Sequence, residues 1–118
     1  MKTVEIYESV PDGSKLEVRF GPATGPVKGS VLFITSGDVA DKIWPDSAIR
    51  PGPKIQQLEK GRAYMLEMHV GFTGAATATI EARIRKPDGA TYSTPKNWSI
   101  QGKKDTTELR VLIIRMAS

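Results

Sequence analysis

The chain has 118 residues, which is enough for one ordinary domain. It has no cysteine and one histidine, and this excludes a disulfide framework, cysteine-based zinc or iron–sulfur sites and multi-histidine metal centres. With 17 Lys and Arg against 13 Asp and Glu, the net charge is +4. Catalytic chemistry would therefore rest on carboxylates, hydroxyls, Lys, Arg or His69, and no cofactor is expected.

Glu5 and Glu8 interrupt the N-terminal segment too early for the apolar core of a signal peptide. No apolar run approaches the roughly 18 residues of a transmembrane helix. These two absences, with the lack of cysteine, predict a cytoplasmic protein; a mature secreted fragment would have the same composition.

A tight turn, Pro11-Asp12-Gly13, separates two segments in which apolar and polar residues alternate. Pro, Asp and Gly in this order suit a three-residue hairpin loop. The pattern predicts a hairpin in which Ile6 lies opposite Val18 and Glu5 lies opposite Arg19.

Residues 21–30 and 36–53 are predicted to be long loops, which in a compact domain are often functional. The second loop carries the candidate ligand-binding residues Trp44, Asp38, Asp41 and Asp46. The face of a tryptophan can pack on a sugar ring, and carboxylates can accept hydrogen bonds from the hydroxyls of the sugar. A glycan is therefore one predicted ligand, and a protein surface is another. The three aspartates are also candidate calcium ligands. Alternatively, Trp44 caps the open edge of the domain and the aspartates only solubilise the loop.

Residues 53–60 allow two interpretations. Pro53 at the start and Gly61 past the end suit one short helix. An extended segment over Ile55–Leu58 fits equally well.

Two further alternating segments, 62–72 and 76–86, are predicted to form a hairpin. One register puts Glu67 opposite Glu81; the other puts Glu67 opposite Arg83 and His69 opposite Glu81, and is favoured because like charges repel. Glu67 and Glu81, with His69 as proton shuttle, are candidate catalytic residues of a small glycoside hydrolase. The alternative is a solvated face of ion pairs, and a single hairpin provides no pocket.

The final third contains a second Pro-Asp-Gly turn, at residues 87–89, which predicts that Ile84 pairs with Tyr92. Trp98 and Ile100 share a face, so Trp98 is predicted to lie in the core. Residues Thr107 to Met116 end in a segment that is apolar on both faces and suits an interface between subunits.

Positive charge is concentrated in the second half, where residues 60–118 hold ten Lys and Arg against five Asp and Glu. A patch for nucleic acid would use Arg83, Arg85, Lys86, Lys103, Lys104 and Arg110. No aromatic motif accompanies these cations, so nucleic-acid binding is not favoured.

Together these patterns predict a single all-β domain: a two-layer antiparallel β-sandwich, immunoglobulin-like or jelly-roll, with eight or nine strands and at most one short helix. The favoured function is a non-catalytic module that binds a glycan or a protein through the 36–53 loop. The main alternative is a structural subunit of a homo-oligomer.

Overall fold

The structure is a computed structural model that describes residues 4–21, 27–36, 39–45 and 52–118; between residues 27 and 45 it describes the strand backbone and the burial of Trp44. The described residues form nine strands. The strands are β1 (Val4–Val10), β2 (Lys15–Phe20), β3 (Val27–Ser36), β4 (Val39–Pro45), β5 (Lys54–Gln57), β6 (Ala63–Phe72), β7 (Ala76–Arg85), β8 (Thr91–Gly102) and β9 (Thr106–Met116).

The strands form two packed sheets, which confirms the predicted all-β sandwich. Sheet A has the order β1-β9-β6-β3-β4, and sheet B has the order β5-β2-β7-β8. All pairs are antiparallel except β1 with β9, which is parallel, so the prediction of purely antiparallel sheets is wrong at this edge.

The same connectivity occurs twice along the chain. In β2–β5 the first and last strands pair in sheet B, while the middle two pair in sheet A. In β6–β9 the first and last strands pair in sheet A, while the middle two pair in sheet B. The two units are joined by the β3–β6 and β2–β7 pairs, so each unit contributes two strands to each layer.

The core lies between the sheets and is formed by the inward residues of each alternating strand. Along β6 every second residue from Tyr64 to Phe72 is buried, and along β7 every second residue from Ala78 to Ile84 is buried. Trp98 is only 6% exposed, which confirms its predicted place in the core. Because alternate residues of a strand face opposite sides, the residues between them point outward on each sheet.

The predicted hairpin between the first two strands is wrong. The Pro11-Asp12-Gly13 turn does form, since Ser14 N donates to Pro11 O at 3.2 Å and Gly13 has a φ of 82°. However, the turn leads β2 into sheet B, while β1 stays in sheet A against β9. Backbone hydrogen bonds from Gly13 N to Leu58 O and from Leu58 N to Ser14 O attach the turn to the end of β5.

The predicted hairpin of residues 62–72 with 76–86 is also wrong, because β6 and β7 belong to different sheets. Neither register for Glu67 occurs: Glu67 lies opposite Phe33 and Val111, and Glu81 lies opposite Arg19 and Asn97. Two strands that each have one apolar face can bury these faces by packing against each other across the core, in different sheets. They can also lie side by side in one sheet, with both apolar faces towards the core. Alternation alone does not distinguish these two arrangements.

Two predicted loops contain strands. Residues 36–53 include β4, and residues 21–30 include the beginning of β3. Residues 54–57 are extended as β5 rather than helical, and no helix occurs within the described ranges. The pairing of Ile84 with Tyr92 after the second Pro-Asp-Gly turn is confirmed.

The turn after β1 buries a serine hydroxyl that has no hydrogen-bond partner among the described residues. Ser14 is fully buried and its Oγ is unpaired. Because an unsatisfied hydroxyl costs about 1–3 kcal/mol to bury, we expect Ser14→Ala to leave the free energy of unfolding unchanged or to raise it by about 1 kcal/mol. The measurement is urea denaturation.

The matched control for this substitution is Thr106→Val. The Thr106 hydroxyl accepts from Lys103 N at 3.0 Å and donates to Lys103 O at 2.8 Å. Its loss should lower the free energy of unfolding by about 1 kcal/mol. A Ser14→Ala protein destabilised as much as Thr106→Val would contradict the prediction.

Candidate functional site

The three candidate catalytic residues lie on the outer faces of two different sheets. Glu67 and His69 alternate with the buried residues of β6, and their side chains approach to 3.4 Å. Glu81 lies on β7, where Arg83 Nη2 donates to its Oε1 at 2.8 Å. Because outward side chains of packed sheets point away from each other, the core separates the two carboxylates. The structure does not bring Glu67 and Glu81 to one substrate.

The outer face of sheet B is an array of ion pairs. Glu17 lies 3.0 Å from Arg85, and Glu81 lies 3.9 Å from Arg19 as well as against Arg83. The hydrogen bond and the charge of Glu81 raise the pKa of Arg83 above its ordinary value. The sequence predicts a solvated face of ion pairs as the alternative to a catalytic pair of Glu67 and Glu81. The outer face of sheet B has this character, but Glu67 is not part of it.

The candidate ligand-binding residues of the 36–53 segment are described only in part. Trp44 lies on β4, is 8% exposed and belongs to the core cluster. Asp41 lies on the same strand, whereas Asp38 and Asp46 lie outside the described residues. A buried Trp44 favours the interpretation in which it closes the edge of the sandwich. Glycan recognition by these four residues stays a prediction.

No group of three His, Asp or Glu residues that could hold a metal ion occurs in the part of the chain that the structure describes. Of the three candidate calcium ligands, Asp38 and Asp46 lie outside the described residues and only Asp41 lies within them. Calcium binding by these residues stays a prediction.

The basic residues of the second half do not share one surface. Arg83 and Arg85 lie on the outer face of sheet B and are paired with glutamates. Lys103 and Lys104 occupy the turn between β8 and β9. The Arg110 side chain is only 12% exposed, and it lines a cleft with residues of β8. The charge excess of the sequence is therefore spread over several sides of the domain.

The outer face of sheet A carries an apolar surface, of which sequence reasoning identified the β9 part and missed the β1 part. Four large apolar side chains are exposed among the described residues, and three of them lie there: Val4 at 40%, Ile6 at 38% and Leu109 at 43%. Between them lie the half-buried Val111 and Ile113 of β9. We call these five residues the sheet-A apolar face.

The strand register shows that the sheet-A apolar face is continuous. Val4 pairs with Val111 and Ile6 with Ile113, so neighbouring β1 and β9 residues share one side of the sheet. The same two rows continue across β6, β3 and β4. The backbone positions in these continuations are Glu67, Phe33 and Ile43 in one row, and Met65, Thr35 and Ala40 in the other.

A sequence signal for this surface exists in β9. Leu109, Val111 and Ile113 alternate with the buried Leu112 and Ile114, so both faces of the strand are apolar. A strand of a two-layer sandwich can bury only one face against the opposite sheet, whether it lies at the edge or inside its sheet. The sequence of β1 does not show which of its apolar residues are exposed. Tyr7 and Val10 are buried, whereas Val4 and Ile6 lie on the outer face.

No helix in the described ranges is long and apolar enough to cross a membrane. Comparison of the chain with protein-family models, with curated proteins and with solved structures finds no match.

Proposed function

We propose that this protein is a non-catalytic β-sandwich interaction module that associates with a second copy of itself through the sheet-A apolar face. The observation that carries the proposal is the exposure of Val4, Ile6 and Leu109 side by side with Val111 and Ile113. Contiguous exposed apolar surface rimmed by polar residues is typical of protein-interaction sites. The proposal takes up the homo-oligomer that the sequence suggests as the main alternative, with the interface on a sheet face instead of the 36–53 loop.

Charge favours a second copy as the occupant. Beside this face on β6 lie Glu67 and His69, which approach each other to 3.4 Å, and at the end of β9 Arg115 pairs with Glu8 at 2.9 Å. Two such faces can meet without the repulsion expected between chains of net charge +4. A nucleic acid or an anionic membrane would instead favour a cationic surface.

The size of the face indicates a weak, reversible dimer. The five residues of the face lie on two neighbouring strands about 4.8 Å apart, over about five residues of about 3.3 Å each, which gives a projected area on the order of 200 Å². Stable complexes bury about 800 Å² per partner, and weaker transient ones bury less. Two sheets that pack face to face keep their strands within about 30° of each other, so two-fold packing of this kind suits the surface.

The experiment is light scattering of the full chain over a range of concentrations. We expect the average mass to rise towards twice the chain mass, and we expect Ile6→Asp with Leu109→Asp to hold the protein at the monomer mass. The matched control is Ile55→Asp, because Ile55 is 53% exposed but lies in sheet B, on β5.

Circular dichroism should show all three proteins folded, since the substituted side chains are exposed. A wild-type chain that stays monomeric at millimolar concentration would contradict the proposal. So would an Ile55→Asp protein that dissociates like the double variant.

A further inference from the structure

Side-chain contacts bridge the seam between edge strands β1 and β8. Tyr7 OH donates to Thr94 O at 2.8 Å, and Lys96 Nζ lies 5.2 Å from the centre of the Tyr7 ring. Lys96 also lies 3.7 Å from Glu5. These contacts join the two sheets at the rim of the core.

A cleft of about 430 Å³, large enough for a small ligand, lies between β8 and β9. It is lined by Ser99 and Gln101 of β8 and by Glu108 and Arg110 of β9. In the described register β1 begins opposite Val111, so its described residues do not reach Arg110. The cleft thus lies where β8 of sheet B approaches β9 of sheet A, and its β8 side is formed by the exposed Ser99 and Gln101.

Arg110 is the most enclosed charged group in this cleft. Its side chain is 12% exposed, whereas that of Arg115 on the same strand is 58% exposed. Arg110 Nη1 donates to Leu109 O at 2.9 Å, and its distance to Glu108 Oε1 is 3.9 Å, too long for a hydrogen bond. The hydrogen bond described for the guanidinium is therefore the one to Leu109 O, so further donors can bind a ligand from the open side of the cleft.

The two charges of the cleft restrict the ligand that would fit. A guanidinium binds a carboxylate through two parallel hydrogen bonds, but a simple anion here would also meet the Glu108 carboxylate. A ligand with a carboxylate for Arg110 and an ammonium for Glu108 satisfies both. Ser99 and Gln101 add uncharged hydrogen-bonding groups on the opposite wall.

We propose that this cleft binds a small zwitterion that carries a carboxylate and an ammonium on one carbon, as a free α-amino acid does. The geometry that supports the proposal is the juxtaposition of enclosed Arg110 and half-exposed Glu108 across a cleft from Ser99 and Gln101.

The experiment is an NMR titration of the full chain that follows the amides of Ser99, Gln101, Glu108 and Arg110. The probes are L-alanine, N-acetyl-L-alanine, which lacks the ammonium, and L-alaninamide, which lacks the carboxylate. We expect L-alanine to bind at least about tenfold more tightly than either blocked compound. Arg110→Gln should abolish binding, and Arg110→Lys should weaken it because it loses the planar pair of donors. Arg115→Gln should leave binding unchanged.

Glu108→Gln separates this proposal from simple anion binding. It should weaken the binding of L-alanine but not that of N-acetyl-L-alanine, because only L-alanine has an ammonium that the Glu108 carboxylate would bind. Equal affinity of the wild type for L-alanine and its N-acetyl derivative would overturn the proposal. Failure of L-alanine to shift the four amides at high millimolar concentration would do so too, as would full binding by a folded Arg110→Gln protein.

Discussion

Replacing Gly102 with alanine is expected to lower the free energy of unfolding by about 2–3 kcal/mol, measured by urea denaturation. Gly102 ends β8, and a Cβ at this position would overlap the ring of Phe72. Phe72 is 1% exposed and lies among the core residues, so the ring has little space into which to move. The effect is steric, because Gly102 is not among the residues with positive φ.

The matched control is Gly52→Ala, since a Cβ at Gly52 would meet nothing within 4 Å. We expect this change to alter stability by less than about 0.5 kcal/mol. Phe72→Leu should then recover part of the stability lost in Gly102→Ala, and a double-mutant cycle measures that coupling. A Gly102→Ala protein as stable as the wild type would show that the end of β8 moves away from Phe72.

Tyr7 is expected to make the protein lose stability at alkaline pH. Burial raises the pKa of its hydroxyl from 10.0 to about 12. In the unfolded chain the hydroxyl loses its proton near pH 10, while the folded protein retains it up to about pH 12. Between pH 10 and 12 the unfolded state therefore binds fewer protons than the folded state. The contribution of the protonated Tyr7 to the free energy of unfolding is complete below pH 10, and about 2 kcal/mol of it is lost as the pH rises towards 12.

The measurement is the free energy of unfolding as a function of pH for Tyr7→Phe and Tyr92→Phe. At neutral pH, Tyr7→Phe should cost about 1 kcal/mol, because Thr94 O loses its donor. Above pH 10 its stability should fall less steeply than that of the wild type. Tyr92→Phe loses the hydrogen bonds to Glu8 O and Ser9 O and should be less stable at all pH values, but because it keeps Tyr7 its stability should fall above pH 10 about as steeply as that of the wild type. Parallel curves for the wild type and Tyr7→Phe would contradict the prediction.

The sequence predicts the class of fold because that class depends on local patterns. Alternation of apolar and polar residues requires sheets with one buried face, as in β6 and β7. The turn at residues 87–89 also fixes the pairing of Ile84 with Tyr92, since both strands stay in one sheet. These features need no information about distant parts of the chain.

The arrangement of the strands could not be predicted in the same way. The turn at residues 11–13 has the chemistry of a hairpin loop, yet the chain crosses to the other sheet there because Gly13 and Ser14 bond to Leu58. Leu58 is 45 residues further along the chain than Gly13, by subtraction of their numbers. A pairing decided by such distant contacts leaves no trace in the turn itself.

The candidate sites show the same limit. A hairpin of β6 and β7 would place Glu67 and Glu81 on the same face of one sheet. The chain instead passes from sheet A to sheet B between these strands, and the two residues are separated. Ser99 and Arg110 could not be grouped from the sequence, because β8 and β9 lie in different sheets and meet only across the seam.

The parallel pairing of β1 with β9 has a consequence for synthesis on the ribosome. β9 lies between β1 and β6, so β1 has no neighbour in its sheet until the last strand has emerged. Until then Tyr7 and Val10 lack much of the surface that buries them. Loop closure between such distant segments slows folding, and the sandwich therefore completes only after β9, up to Met116, has been synthesised. Before that stage the edge of β6 that β9 later covers is open to pairing with a strand of another molecule.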